Sequence, residues 1–150
     1  MDLQAISDRL DIQQKMTDYA TAIDSRAFDA LDAVFTPDAH IDYTAMGGIK
    51  GDYLTVKAWL AETLPKFPAY LHMIGNIDIR LAGDAASSRI VCFNPMAIDL
   101  PARGRQMMFF GLWYRDRWVR TTQGWRLHER IEEKCFEHNV PGGINAGPTD

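Results

Sequence analysis

Two residues far apart in the chain, Asp24 and His72, are of the types that together make a base. A carboxylate that accepts a hydrogen bond from one imidazole nitrogen fixes the tautomer and raises the basicity of the other, so the ring takes a proton near neutral pH. Asp24 ends a helix-like segment. A carboxylate there either bonds the turn at Ser25-Arg26 or serves elsewhere, and the helix dipole disfavours negative charge at that end, which invites the second use. His72 lies in a strand-like run whose alternation sets Leu71, Met73, Ile77 and Ile79 on one face. His72 falls on the opposite face, with Asn76, Asp78 and Arg80. A regular strand would turn the imidazole to water, whereas a bulge at Gly75 would exchange the faces partway along.

Other chemistry-bearing groups are sparser. Arg130 shares a strand face with Arg126, His128 and Glu132, which suits a surface ion pair or a cation neutralised by Glu132 inside a pocket. Tyr19 sits on the apolar stripe of the first helix, where a tyrosine buries its ring and keeps its hydroxyl for one hydrogen bond. Phe110 and Leu112, with Met108 and Tyr114 on one alternate face, would build an apolar wall. His40, His128 and His138 are scattered, so no metal ligands and no cofactor are expected. Cys92 and Cys135 lack the short paired spacing of a zinc or redox motif and suit two reduced structural thiols, with a catalytic thiolate as the alternative.

The elements that must carry these groups follow from the periods. Ile12, Met16, Tyr19 and Ile23 recur at helical spacing and predict a helix over 7–24. Phe28, Leu31, Val34 and Phe35 resume the period in a second helix that must stop by Thr36, because Pro37 follows. A strand is expected over 40–44, a loop at Met46-Gly47-Gly48, and a third helix through Val56, Trp59, Leu60 and Leu64 to Pro65. From Tyr70 the period becomes two: a strand to a turn at Gly83-Asp84, a return over 88–94, then long strands over 106–119 and 125–137 around a hairpin at 121–124. Helices first and hairpin-connected strands afterwards predict an α+β domain. Three N-terminal helices would pack on a strongly curved, mainly antiparallel mixed sheet, a cone-shaped roll enclosing a pocket.

The 150 residues, 47% of them hydrophobic, fit one domain over 1–150, with an irregular Gly- and Pro-rich tail over 141–150. A net charge of -4 argues against nucleic acid and anionic membrane as partners and leaves a small uncharged ligand open. No apolar run is long enough to span a bilayer, and Met1-Asp2-Leu3-Gln4 does not open a secretory leader, so a cytoplasmic location is expected.

The chain resembles the nuclear transport factor-like superfamily, in its branch of SnoaL-like proteins, scytalone dehydratase and hexachlorocyclohexane dehydrochlorinase. The resemblance runs over about 12–135. It is carried by Tyr19-Ala20-Thr21-Ala22-Ile23-Asp24, Val34-Phe35-Thr36-Pro37-Asp38-Ala39 before Asp42-Tyr43, His72, and Tyr114-Arg115-Asp116 leading into Gly124-Trp125-Arg126-Leu127. It implies an Asp–His dyad that removes a proton from carbon while a leaving group departs, without metal or cofactor. His72 would be the base, Asp24 its orienting partner, and Arg130 the arginine that attends the leaving group. Tyr19 and Tyr43 would line the pocket, and Asn94 or Cys92 would replace a second pocket histidine.

The expected function is therefore a lyase acting on a small apolar cyclic or aromatic compound. An isomerase or polyketide cyclase, or a non-catalytic ligand-binding or accessory module of the same fold, stands as the alternative. Met107, Phe109 and Trp113 on the opposite face of their strand predict a homodimer or homotrimer packed through the sheet.

Overall fold

A computed structural model describes residues 1–142. Positions 143–150, most of the expected tail, lie outside the described residues. The first helix, α1 (Leu3–Asp24), starts where Asp2 accepts a hydrogen bond from the Ala5 N–H. The predicted stripe is its buried face, with Ile12, Met16 and Ile23 fully enclosed. A 3₁₀ helix (Phe28–Ala33) leads into β1 (Phe35–Asp42), and β2 (Lys50–Asp52) turns back on it. Asp52 caps α2 (Tyr53–Thr63), and a 3₁₀ turn at Leu64–Lys66 ends that helical stretch at Pro65. Strands β3 (Ala69–Tyr70), β4 (Met73–Ala82), β5 (Ala85–Leu100), β6 (Gly104–Thr121) and β7 (Gly124–His138) complete the chain.

The seven strands form one open mixed sheet in the order β2-β1-β7-β6-β5-β3, with β4 also on β5. Only β1 and β7 run parallel among these pairs. The β5–β6 hairpin pairs without a break from Ala85 and Val119 to Leu100 and Gly104. Its even-numbered residues, among them Ile90, Cys92, Asn94, Met96, Met108, Phe110, Leu112 and Tyr114, are buried beneath the helices. The architecture is thus the expected α+β roll. No described helix is long and apolar enough to cross a membrane.

Two expectations change. The second helix is a single 3₁₀ stretch that ends at Ala33, because Phe35 joins β1 rather than a helix. Pro37 is tolerated in that strand because the register of β1 on β7 shifts between Phe35 and His40, so no ladder bond is demanded of a residue without an N–H. The alternation of β4 is also broken: its register on β5 shifts between Gly75 and Asp78, and Asn76 takes φ 46°, in the left-handed region. Leu71 and Met73 are consequently exposed, at 45% and 60%, while Ile79 is buried. Leu71 and Met73 therefore do not share the inner face with Ile77 and Ile79, and His72 turns inward.

A partly buried ion pair fastens α1 to the β6–β7 hairpin. The Asp8 carboxylate accepts two bonds from Arg120 Nη1 and Nη2, both 2.7 Å, and others from Trp125 Nε1 (3.1 Å) and Gln4 Nε2 (3.0 Å). The Arg120 guanidinium holds the Asp8 carboxyl well below the usual carboxylate range. Because that pKa is depressed in the folded state, its stabilisation is complete above the unfolded value and is lost as pH falls below it. The pair is only partly buried, so Asp8→Asn should lower stability in urea unfolding at pH 7 by less than the loss of a fully buried pair would. The difference from wild type should shrink as pH drops below about 4.

Candidate active site

The end of α1 sets the first side chain. The Arg26 N–H donates to the Ile23 carbonyl and the Ala27 N–H to the Ala22 carbonyl, which closes the helix with Arg26 itself at φ 60°. This sharp stop leaves Asp24 on the last helical turn, beside the segment between β3 and β4. Asp24 Oδ1 lies 2.7 Å from His72 Nδ1, and Asp24 Oδ2 accepts the His72 backbone N–H at 2.9 Å. One carboxylate thus grips both the ring and the peptide of the same residue. With Nδ1 donating to a carboxylate, the proton sits on that nitrogen and Nε2 keeps its lone pair.

The peptide around His72 is held from two more sides. Tyr70 donates its hydroxyl to the Ile23 carbonyl at 2.9 Å, and Asn94 Nδ2 donates to the Leu71 carbonyl at 2.8 Å. The rings of Tyr19 and Tyr70 stand edge-on to the imidazole at 6.4 and 6.1 Å. The helix dipole disfavours Asp24, and the two bonds it accepts from His72 offset this.

His72 lines a cavity of about 160 Å³. Tyr19, Tyr43, Asn94, Phe110 and Leu112 line it too; Asp24 stands behind His72 and is not part of the wall. Trp59, Leu60, Leu64 and Phe67 cover the cavity from α2 and the chain after it, and Met46-Gly47-Gly48 forms one rim. A side chain at Gly48 would fall 2.8 Å from Tyr43 Cβ and 2.9 Å from Trp59 Cη2, so the rim can close only over a glycine.

Arg130 is placed one layer behind the cavity. It has no exposed surface, and its Nε and Nη2 each donate to Asp116 at 2.8 Å. The rings of Tyr114 and Tyr19 pack on the guanidinium at 3.9 and 4.3 Å. A register shift of β7 on β6, where Arg117 pairs with Glu129 and Trp118 with Leu127, leaves His128 as the extra residue. Arg130 and Glu132 therefore point inward, and the expected common face with Arg126 and His128 is broken at that bulge.

The wall in front of this ion pair is polar but uncharged. The Tyr19 and Tyr43 hydroxyls are 2.7 Å apart, both buried, and burial raises both above the ordinary phenol range. Burial likewise pushes the Cys92 thiol up to about 12, which leaves it neutral and unsuited to nucleophilic work. Glu132 also lines the cavity, and burial pushes its carboxyl well above the usual carboxylate range against the pull of Arg130. The sequence offered Glu132 inside the pocket only as the carboxylate neutralising Arg130; Asp116 takes that part instead, and Glu132 faces the cavity. Trp59 and Tyr114 carried no such signal beyond their apolar character.

The SnoaL-like domain family model matches residues 4–131. An uncharacterized protein of Mycobacterium tuberculosis is 56% identical over 132 residues, 88% of either chain. The hexachlorocyclohexane dehydrochlorinase LinA-type3 of Novosphingobium barchaimii superposes with a TM-score of 0.78 at 16% identity, over 95% of this chain and 96% of that one. A protein of Novosphingobium aromaticivorans provisionally named scytalone dehydratase gives 0.77 at 18%, over 97% of each chain. At these identities the two structures establish a shared fold.

Removing one member of the Arg130–Asp116 pair strands a desolvated charge. Asp116→Ala should cost about 3–5 kcal/mol of stability, whereas Asp116→Leu combined with Arg130→Met should recover most of that loss. Urea unfolding of the two single variants and the double variant measures the coupling directly.

Proposed function

The chain belongs to the SnoaL-like domain family, and from that premise we propose that it is a cofactor-independent lyase. His72 Nε2 removes a proton from carbon in a small, mostly apolar cyclic or aromatic compound while a leaving group departs from the neighbouring carbon. One observation carries this reading: the Asp24 carboxylate bonded to both the ring and the backbone of His72 at the edge of a cavity beneath α2. Asp24 orients the ring and offsets the charge that develops on it, as a base needs. The paired hydroxyls of Tyr19 and Tyr43 offer a preorganised donor to developing negative charge on the ligand. A cavity of about 160 Å³ is on the scale of one that takes up benzene, which is the ground for a single-ring ligand. The reading takes residues 1–150 as one domain acting in the cytoplasm.

Assembly is part of the same proposal. Across four strands, Met73, Phe93, Gly111 and Phe136 occupy one row on the outer face of the sheet. Phe93 stacks on Phe109 from the next row, while Met73, Met107 and Phe136 are exposed by 60%, 41% and 46%. An apolar face of this kind supports a homodimer or homotrimer through the sheet. Light scattering at micromolar concentration should give a dimer or trimer mass, and Phe136→Glu should shift it toward the monomer. A wild-type monomer would refute the assembly.

The base is tested on halogenated, hydroxylated and enone ring compounds. His72→Ala should lower kcat about 10²–10⁴-fold with ligand affinity nearly unchanged, because proton transfer is a transition-state event. Asp24→Asn should come close to the same loss, and the double variant should be little worse than either single one. Equal rates in all variants, or binding without chemistry across the panel, would favour a carrier. Migration of a double bond without loss of a group would favour an isomerase.

A further inference from the structure

His72 and Glu132 both line the cavity, from parts of the sheet three strand positions apart. His72 precedes β4, at one end of the strand order, while Glu132 is on β7. Asn94 and Phe110 of the intervening β5 and β6 lie between them on the wall. At roughly 4.8 Å per strand this is a spacing into which one ring fits when the sheet curves around it.

Glu132 is the group on this wall whose chemistry the base leaves unused. Its Oε2 is enclosed without a hydrogen-bond partner among the described residues. Arg130 makes its salt bridge with Asp116 through Nε and Nη2, and its Nη1, like Glu132 Oε2, has no hydrogen-bond partner among the described residues, so the two groups are near without being paired. Desolvation with no salt bridge to offset it favours the protonated form of a carboxyl group, even against the pull of a nearby cation, and that form has an O–H to give. Tyr114, the cross-strand neighbour of Glu132, is held neutral by the same burial.

We propose that Glu132 is the general acid that works with His72, and that the leaving group is consequently a hydroxyl rather than a halide. This rests on the reading of His72 as the base and names the substrate class for it: a hydroxylated single-ring compound with a removable hydrogen on the carbon next to the one bearing the hydroxyl. The C–H bond breaks and its proton goes to His72 Nε2, while its electron pair becomes the new carbon–carbon double bond. The C–O bond breaks with its pair staying on oxygen, which takes the Glu132 proton and leaves as water. The proton then held by His72 returns through solvent to the Glu132 carboxylate, so the cycle consumes no other reagent. A departing chloride takes no proton, so an acid facing the base gives it no advantage, and Arg130, the cation nearest the wall, is enclosed behind Tyr19 and Tyr114.

The test uses pairs of ring compounds that differ only in bearing a hydroxyl or a chloride at the same carbon, assayed on wild type, Glu132→Gln and His72→Ala. Glutamine keeps the shape but has no acidic proton. We expect Glu132→Gln to lower kcat about 10²–10⁴-fold on the hydroxyl compound and to change KM and chloride elimination little. Infrared difference spectra at pH 7, independent of any turnover, should contain the carbonyl band of a protonated carboxyl in wild type and lose it in Glu132→Gln. Absence of that band in wild type overturns the proposal. Equal slowing of both leaving groups, or of neither, overturns it as well. A His72→Ala variant inactive on both compounds beside a fully active Glu132→Gln keeps the base and removes the acid. Full activity of His72→Ala overturns the base, and the acid with it.

Discussion

A strand side chain has only two faces to choose between, and the polar groups of this cavity depend on where that choice is interrupted. The irregularity between Gly75 and Asp78 separates an inward His72 from an inward Ile79. The irregularity at His128 separates inward Trp125 and Leu127 from inward Arg130 and Glu132. Each bulge inserts one residue and so exchanges the faces of everything on one side of it. Without the first the imidazole would face water with Asp78 and Arg80, and Met73 would turn inward in its place. Without the second the strand would present Glu129 and Ile131 where the ion pair and the carboxyl now lie. Asn76 accepts φ 46° to make the first turn of the chain possible, a left-handed conformation that asparagine tolerates better than most residues.

Once the imidazole faces inward, its exact heading is set by contacts that join elements distant in sequence. Asp24 and Tyr70 tie the end of α1 to the segment before β4, and Asn94 ties that segment to β5. Three elements therefore share one short stretch of backbone. The ring is over-determined in the way a preorganised base requires, since little reorientation is left to be done when a proton moves. The same economy explains why α1 ends on an unfavoured carboxylate: its cost is offset by two donors from one residue, of which the backbone N–H is present in any tautomer.

The layer behind the wall has a different role. Arg130 and Asp116 are fully desolvated, and such a pair contributes little net stability compared with apolar packing. What it does is fix Tyr19 and Tyr114 against the two faces of a rigid plane, so that the hydroxyls of the wall are positioned by the protein rather than by the ligand. A cation this close would ordinarily ionise its neighbours. Here it is paired with Asp116, and burial pushes the phenols and the Glu132 carboxyl toward their neutral forms. The cavity is thereby lined by neutral donors in front and an ion pair behind.

Much of this was legible in the residues. The apolar stripe of α1, the change of period at Tyr70, the glycine turns and the α+β order follow from side-chain spacing and turn chemistry, which act over a few residues and leave local traces. The type of Asp24 and of His72, joined to a family resemblance, was enough to expect them together, and Gly75 marked where a bulge could lie. Tertiary structure alone decided the rest. Phe35 and Pro37 look like the end of a helix until β7 offers a parallel neighbour with an irregular register, because strand pairing is a long-range gain that outweighs local propensity. Arg130 and Glu132 look like a surface pair until a bulge at His128, which no residue there announces, turns them inside. Whether a carboxyl is an ion or an acid then depends on how much water the folded chain excludes and which cations are already taken, and both are properties of the packed molecule that spacing along the sequence does not contain.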